Sequence, residues 1–429
     1  MGMMIADTII TGHYSTADLA GVAVGNGLYV SVVMLLVGIL QAVAPTIAHH
    51  VGAGRIRQIA PSLHQGFWLA LMLALPGCAL LAWPQALLDF ARVPPDIAAG
   101  AGSYLQATAF GLPAALFYRT FSAFNNAIGR PRVLMMLSLL ALSLHIPLAW
   151  ALTHGSFSAF GLPALGGVGC GISSSIVSWI GVSCAFFYLQ RGKAYQPYQL
   201  FDRLHPPRIR ELAALMRLGL PMGLSTFIEI TSFTLVALFA ARLGSEAVAG
   251  HRIIANLSAL TYMLPLAMSI ATLVLVGQAA GARDWARATA TVKVSLVLSA
   301  ALAVAVGAVL WLLRAPVIGL STSDLAVQAV ALSLVVYVCV YQLTDSIQTV
   351  AAHALRGYKI TLLPMVLHTL SFWGIGLAGG YWASYHAFGR ELAPSIAGFW
   401  QASVVATVLA SLLFGWLLRR VIRSQQAGD

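Results

Sequence analysis

Charge is what this sequence has least of. Its 429 residues include 13 Asp and Glu and 24 Lys and Arg, 9% charged in all, against 59% hydrophobic residues. A soluble globular chain carries about 25% charged residues, so that class is excluded. A disordered chain, which needs high charge and few apolar residues, is excluded with it, and so is a coiled coil. Cysteine is scarce too. Cys78, Cys170, Cys184 and Cys339 stand apart in apolar stretches, with no Cys-x-x-Cys pair and no Cys/His ligand spacing. That argues against a disulfide scaffold and against a clustered metal site. The opening MGMMIADTII has neither a basic run nor a small-residue cleavage site, so it does not read as a secretory leader.

What is present in abundance is apolar sequence, with a mean hydropathy of +0.85. A helical span needs about 20 apolar residues. Runs at 19–48, 62–88, 98–126, 133–153, 164–190, 212–241, 247–278, 287–313, 325–354, 361–385 and 394–418 meet that need, and residues 3–12 form a shorter apolar stub. A β-barrel would show alternating segments of about ten residues, whereas Val292 to Leu313 is one unbroken run. The sequence therefore predicts an all-α polytopic membrane protein.

The net charge of +11 would suggest nucleic acid in a soluble protein. Here it fits basic cytoplasmic loops, and no nucleic-acid partner is expected. Sixteen basic residues, among them Arg55, Arg130, Arg191, Arg208, Arg283, Arg356 and Arg420, fall in alternate connections and the C-terminal tail. The other connections hold four, Arg92, Arg242, Arg314 and Arg390. This asymmetry predicts a multi-pass protein of the cytoplasmic (inner) membrane with its C-terminus in the cytoplasm.

The chain also repeats itself. HHVGAGR at 49–55 matches QAAGARD at 278–284, and LAG at 19–21 matches VAG at 248–250, both at an offset of 229. VGCGISSSIV from 168 pairs with AGFWQASVV from 397 at the same offset, and AIGRPR at 127–132 pairs with ALRGYK at 354–359 at nearly that spacing. The expected organisation is two homologous six-helix lobes, 1–195 and 212–429, joined by a polar cytoplasmic linker at 196–211. Such parallel repeats occur in transporters with a midplane site. The offset places the start of the first helix about 17 residues before Met1, so that helix reads as truncated in this chain.

Of the 13 acids, three lie inside apolar helices: Asp7, Glu229 and Asp345. A carboxylate at the bilayer centre costs roughly 2.5–3.5 kcal/mol, and such residues normally face an interior cavity and bind ions or relay protons. The bland alternative is an acid paired with an intramembrane arginine, for which Arg119 is the evident partner. Ser225, Thr226 and Ser232 share the helical face of Glu229, and Tyr341 and Gln348 that of Asp345. A tyrosine hydroxyl beside a carboxylate can complete an oxygen cage for a small cation. Tyr262, Phe233 and Phe372 could stack on a flat organic cation or simply fill the core. His145, His251, His353 and His368 read as polar packing or cavity residues, and Ser174 as a further lining hydroxyl. Pro45, Pro113, Pro147, Pro221, Pro265 and Pro364 are hinges or static kinks.

IADTIITG at 5–12 followed by HHVGAGR, FIEIT at 227–231 and YQLTDSIQTVAAHALRGYK at 341–359 resemble the multidrug and toxic compound extrusion (MATE) family, NorM-type branch, over essentially the whole chain. The resemblance implies a twelve-helix transporter of two lobes that exports cationic drugs and dyes in exchange for Na⁺ or H⁺, with no other cofactor. It assigns Asp7 to the first-helix coupling acid, and Glu229, Tyr341 and Asp345 to the cation site of the second lobe, a Na⁺ candidate. His145 and Ala149 stand where relatives often carry Asn, which weakens a Na⁺ site in the first lobe; Ser173, Ser174 and Ser175 could still contribute. The expected function is a secondary antiporter for organic cations, not an enzyme, acting as a monomer among membrane lipids. The alternatives are a lipid-linked precursor flippase of similar build, which should show cavity cations, and a channel or membrane enzyme, which no filter or catalytic pair supports.

Overall fold

The computed structural model describes residues 2–156, 163–385 and 395–426; Arg390, Glu391 and Asp429 lie outside these. The described residues form helices and no strands. In order these are α1 (Gly2–Tyr14), α2 (Thr16–Leu40), α3 (Val43–Gly52), α4 (Ile59–Ala82), α5 (Gln85–Phe90), α6 (Pro95–Ala109), α7 (Leu112–Ala127), α8 (Pro131–His154) and α9 (Gly167–Arg191). Then follow α10 (Ile209–Ala240), α11 (Ser245–Gly281), α12 (Trp285–Leu312), α13 (Arg314–Ser321), α14 (Leu325–Gly357), α15 (Leu362–His368), α16 (Gly380–Tyr385) and α17 (Ala397–Gln426). Between α15 and α16, Thr369–Gly379 is wound as a π-helix.

Ten helical stretches among the described residues are long and apolar enough to cross a membrane. They coincide with ten of the eleven expected runs. The exception is 98–126, which breaks into α6 and α7 at Phe110–Gly111. Pro113 in the first turn of α7 starts a new helix there. A Cβ at Gly111 would meet Ser175 Cα of α9 at 2.6 Å, so the break is also where another backbone comes close.

The chain divides into two compact units, one of 1–51 with 55–223, the other of 52–54 with 224–429. The first has a core of Ile47, Ile59, Leu63, Phe121, Phe124 and Leu189. The second has α14 at its centre, packed against α11, α12 and α17, with Leu334, Val335, Val338, Phe399 and Trp400 in one cluster and Leu355, Phe414 and Leu417 in another.

The polar 191–211 stretch is not a slack tether. His64 Nε2 donates to Leu200 O at 3.0 Å, Gln65 Nε2 to Pro206 O at 2.9 Å and Trp68 Nε1 to His205 O at 3.1 Å, while Arg208 N donates to Gln65 Oε1 at 2.8 Å. Tyr195 is buried and donates to Asn125 Oδ1 at 2.6 Å; burial pushes its phenol up to about 12. One face of α4 thus holds the stretch in the first unit, and the two units divide further on, inside α10.

The paired loop signatures end their helices in the same kind of turn. Arg55 N bonds His50 O at 2.9 Å with Gly54 at φ +66°, and Asp284 N bonds Ala279 O at 2.9 Å with Arg283 at φ +57°. Likewise Arg130 N bonds Asn125 O at 2.8 Å past Gly129, and Ile360 N bonds Leu355 O at 2.9 Å past Lys359 at φ +61°. These are helix ends closed by a left-handed residue, a position that glycine fills without strain. The turns at Gly54 and Gly129 use glycine, and those at Arg283 and Lys359 use a side chain, which costs about 1–2 kcal/mol. Arg283→Gly and Lys359→Gly are each expected to stabilise the protein by about 1 kcal/mol. Thermal unfolding in detergent checks this: a lowered midpoint would mean that the side chains contribute more than the strain they impose.

Candidate functional site

Each unit buries carboxylates in its own way. In the first, α1 packs on α2 and α8 and turns Asp7, Ile10 and Thr11 inward. Asp7 Oδ1 lies 2.7 Å from His145 Nε2 of α8, and both residues are buried. His145 Nδ1 lies 3.1 Å from Ser173 Oγ of α9, which is also 3.3 Å from His145 O. This network closes for either charge on the ring. With a neutral imidazole, the Ser173 hydroxyl donates to Nδ1. With an imidazolium, Nδ1 donates to Ser173 Oγ, whose hydrogen turns to the His145 carbonyl. Only one hydroxyl has to rotate.

Val22, Tyr104, Ala149 and Cys170 enclose the pair in apolar surface. Ser173, rather than Ser174, faces His145; the Ser174 carbonyl accepts from Ser178. Ser175 donates to Ala107 O at 2.6 Å and is taken up by helix packing. Arg119 is exposed on α7 and forms no ion pair among the described residues. The partner of Asp7 is therefore an imidazole, from a helix 138 residues away in sequence.

The second unit is richer. Asp345 is 2% exposed in the middle of α14. Gln348 Nε2 donates to its Oδ1 at 2.9 Å, and Tyr341, also buried, lies one turn before it on the same face. The Gln348 amide also reaches Thr349 Oγ1 at 3.2 Å. Its orientation is set by His368 of α15, whose Nε2 donates to Gln348 Oε1 at 2.9 Å. Gln348→Leu, which removes the donor to Asp345 while keeping the volume, is expected to reduce transport at least about tenfold with the protein still folded, since a hydrogen bond to a charged group is worth about 1.5–3 kcal/mol. Transport rates with a gel-filtration profile would test it.

Beyond this lies Arg356, expected in a cytoplasmic loop. The structure corrects that: Arg356 is 5% exposed in the last turn of α14. Its NH1 donates to His353 Nε2 at 3.2 Å, and His353 Nδ1 donates to Thr349 O at 2.9 Å. So the buried arginine among the described residues is Arg356, not Arg119. Helical spacing offered a signal: Asp345, Thr349, His353 and Arg356 form one stripe along α14.

The other expected neighbours divide. Ser225 and Ser232 are buried and Thr226 is half-buried. Ser232 donates to Phe372 O at 3.2 Å, so it joins α10 to the π-helix. Phe233 meets Tyr341 edge-on at 5.9 Å, and Tyr341 meets Trp400 likewise at 5.9 Å. With Ser232, His251 and Phe372 these rings line a cleft, in a unit where His251 Nδ1 and Trp400 Nε1 are buried without hydrogen-bond partners. Among the described residues no group of three or more His, Cys, Asp or Glu could hold a metal ion.

Residues 1–151 and 221–382 match the model of the MatE family. The chain is 66% identical over 426 residues to the "Probable multidrug resistance protein NorM" of Aromatoleum aromaticum, covering 99% of this chain and 91% of that one. It is 33% identical over 423 residues to the "Multidrug resistance protein NorM" of Vibrio cholerae, covering 98% and 92%. Among solved structures, an outward-facing multidrug resistance MATE family transporter of the MOP superfamily superposes with a TM-score of 0.88 at 17% identity, covering 99% of this chain and 92% of that one. The eukaryotic MATE transporter AtDTX14 gives 0.85 at 17% identity, covering 99% and 94%. Sequence over nearly the full length and fold over the same length agree: this chain belongs to the MatE family.

Proposed function

We propose that the protein is a secondary active antiporter that exports organic cations and drugs across the cytoplasmic membrane in exchange for Na⁺ or H⁺. The observation that carries this reading is the pair of carboxylates in apolar helices, Glu229 on α10 and Asp345 on α14, the latter held by the Gln348 amide, in the same helices as an aromatic cleft. Isolated acids in apolar helices persist where a cation visits them, and aromatic faces add attraction for an organic one. The multidrug resistance names of the relatives support the same substrate class.

Glu229, Tyr341 and Asp345 form the cation-coupling site, the Na⁺ candidate, and Asp7 is a second coupling acid. The two lobes carry one repeat each, the C-terminus faces the cytoplasm, and the monomer works with no partner but lipid and no cofactor but the coupling ion. A lipid-linked precursor would need cationic cavity residues for its phosphates. Among the described residues two acids, Asp7 and Asp345, are buried and Glu229 is half-buried, against one buried guanidinium, Arg356, which favours a cationic substrate instead. The test is flux in proteoliposomes loaded with ethidium or tetraphenylphosphonium. An imposed Na⁺ or pH gradient is expected to drive counterflow of the organic cation. Flux that ignores both gradients would overturn the antiport reading.

A further inference from the structure

We propose that the first unit carries a docking site for an anionic phospholipid: three connections at one end of the unit gather unpaired cations for the phosphate, beside an apolar recess that takes an acyl chain. The inference goes beyond the antiport reading and takes from it only the orientation of the chain.

The cations are brought together by packing. Ile56–Gln58 lies against Lys193–Tyr198, which joins the connection of Arg55 and Arg57 to that of Arg191 and Lys193. The Tyr195 hydroxyl donates to Asn125 Oδ1 at 2.6 Å, and the Phe124 ring meets Tyr195 at 6.0 Å and Tyr198 at 5.8 Å. This brings in the third connection, with Arg130 and Arg132; the Arg130 guanidinium lies 5.9 Å from the centre of the Tyr195 ring. With Arg203, seven exposed cations stand on residues 52–58, 127–133 and 188–205, against one acid, Asp202. None of the seven forms an ion pair among the described residues. The bland alternative is that such charge only orients the chain on insertion. Orientation needs charge in each connection, but it does not need the connections to fold onto one another, and it leaves the recess without a role.

The recess measures about 280 Å³ and is lined by Leu63 and Phe67 of α4, Phe186 and Leu189 of α9, and Phe201 and Leu204 of the polar stretch. Phe186, Phe201 and Leu204 are exposed, and the Phe186 and Phe201 rings meet edge-on at 5.0 Å. Leu63 and Leu189 also belong to the core that holds Phe124 and Tyr195, so recess and cations share one support. Arg203 stands between Phe201 and Leu204, and Arg191 two residues beyond Leu189, its guanidinium 4.9 Å from the centre of the Phe187 ring. The bonds from His64 and Gln65 that fasten Leu200 and Pro206 to α4 hold this rim in place before any lipid arrives. An apolar cleft rimmed by positive charge suits an amphiphile with an anionic head. A water-soluble polyanion has nothing to put in the cleft, and a zwitterionic lipid brings an ammonium against the arginines. Clusters of about four to eight basic residues beside a membrane span act in this way on anionic headgroups.

The experiment is native mass spectrometry of the purified full chain in detergent, supplied with dioleoyl-phosphatidylglycerol and dioleoyl-phosphatidylcholine at equal concentration. Wild type is expected to hold phosphatidylglycerol at least about tenfold more tightly. Arg191→Gln with Arg203→Gln is expected to weaken phosphatidylglycerol binding at least about tenfold and to leave phosphatidylcholine within about twofold. Arg191→Lys with Arg203→Lys is expected to keep the preference. Phe201→Ser with Leu204→Ser is expected to weaken both lipids alike, at least about fivefold, because it strips apolar surface from the recess. Arg242→Gln with Arg314→Gln, outside the three connections, is expected to change nothing. Equal binding of the two lipids by wild type overturns the proposal, and so does a preference that survives the loss of Arg191 and Arg203. Displacement of phosphatidylglycerol by inorganic pyrophosphate would overturn it too, by showing that the cations take a soluble anion without the recess. Should the double glutamine variant not fold, Arg203→Gln alone decides, with an expected loss of about fivefold; no loss overturns the proposal. No transport is measured, so the result stands apart from the antiport reading.

Discussion

Asp345→Asn is expected to abolish efflux of an ethidium-like dye from cells while leaving a folded protein in the membrane. The substitution keeps shape and volume. The amide oxygen it introduces could still accept from Gln348, so the helix loses little packing. What disappears is the charge, and hydrogen bonds to charged groups are worth about 1.5–3 kcal/mol, so affinity for a cation should fall on the order of 10- to 100-fold. Glu229→Gln should act in the same direction, because it removes the other charge carried in an apolar helix of this unit. Dye efflux together with the gel-filtration profile of the purified variants checks both. Unchanged efflux by either variant would remove that carboxylate from the transport site.

The second large effect is on stability and lies in the first unit. His145→Leu leaves Asp7 buried without its partner, 2.7 Å away in the native protein. Breaking a buried ion pair by removing one member costs about 3–5 kcal/mol, and thermal unfolding in detergent should show a correspondingly large loss. His145→Gln, which can still donate to the carboxylate, should lose less. Combining Asp7→Asn with His145→Leu should recover part of the loss, since no charge is then left behind. A His145→Leu protein as stable as wild type would mean that Asp7 does not carry its charge in this environment.

Much of this is legible in the sequence for simple reasons. Ten spans announce themselves because lipid demands unbroken apolar length, and the repeat shows in loop signatures that return as the same left-handed turns at Gly54 and Arg283. The three embedded acids stand out against so little charge. Contacts across helices do not show. Nothing local to His145 points to Asp7, and nothing local to Gly111 points to Ser175, because both pairs are made by packing between distant segments. Arg356 escapes the reading because it shares the stretch ALRGYK with Lys359 and passes for loop charge.

The π-helix at Thr369–Gly379 gives this part of the protein a way to turn without bending. Its bonds close over five residues instead of four, so it stores roughly one extra residue per turn. Moving that surplus along the backbone by a single step would spin the neighbouring side chains about 100° around the axis, at the expense of re-pairing a few amides. His368 sits at one edge of the stretch and Phe372 within it. Such a screw motion would swing an imidazole and a ring together, a gearing that a proline kink does not provide.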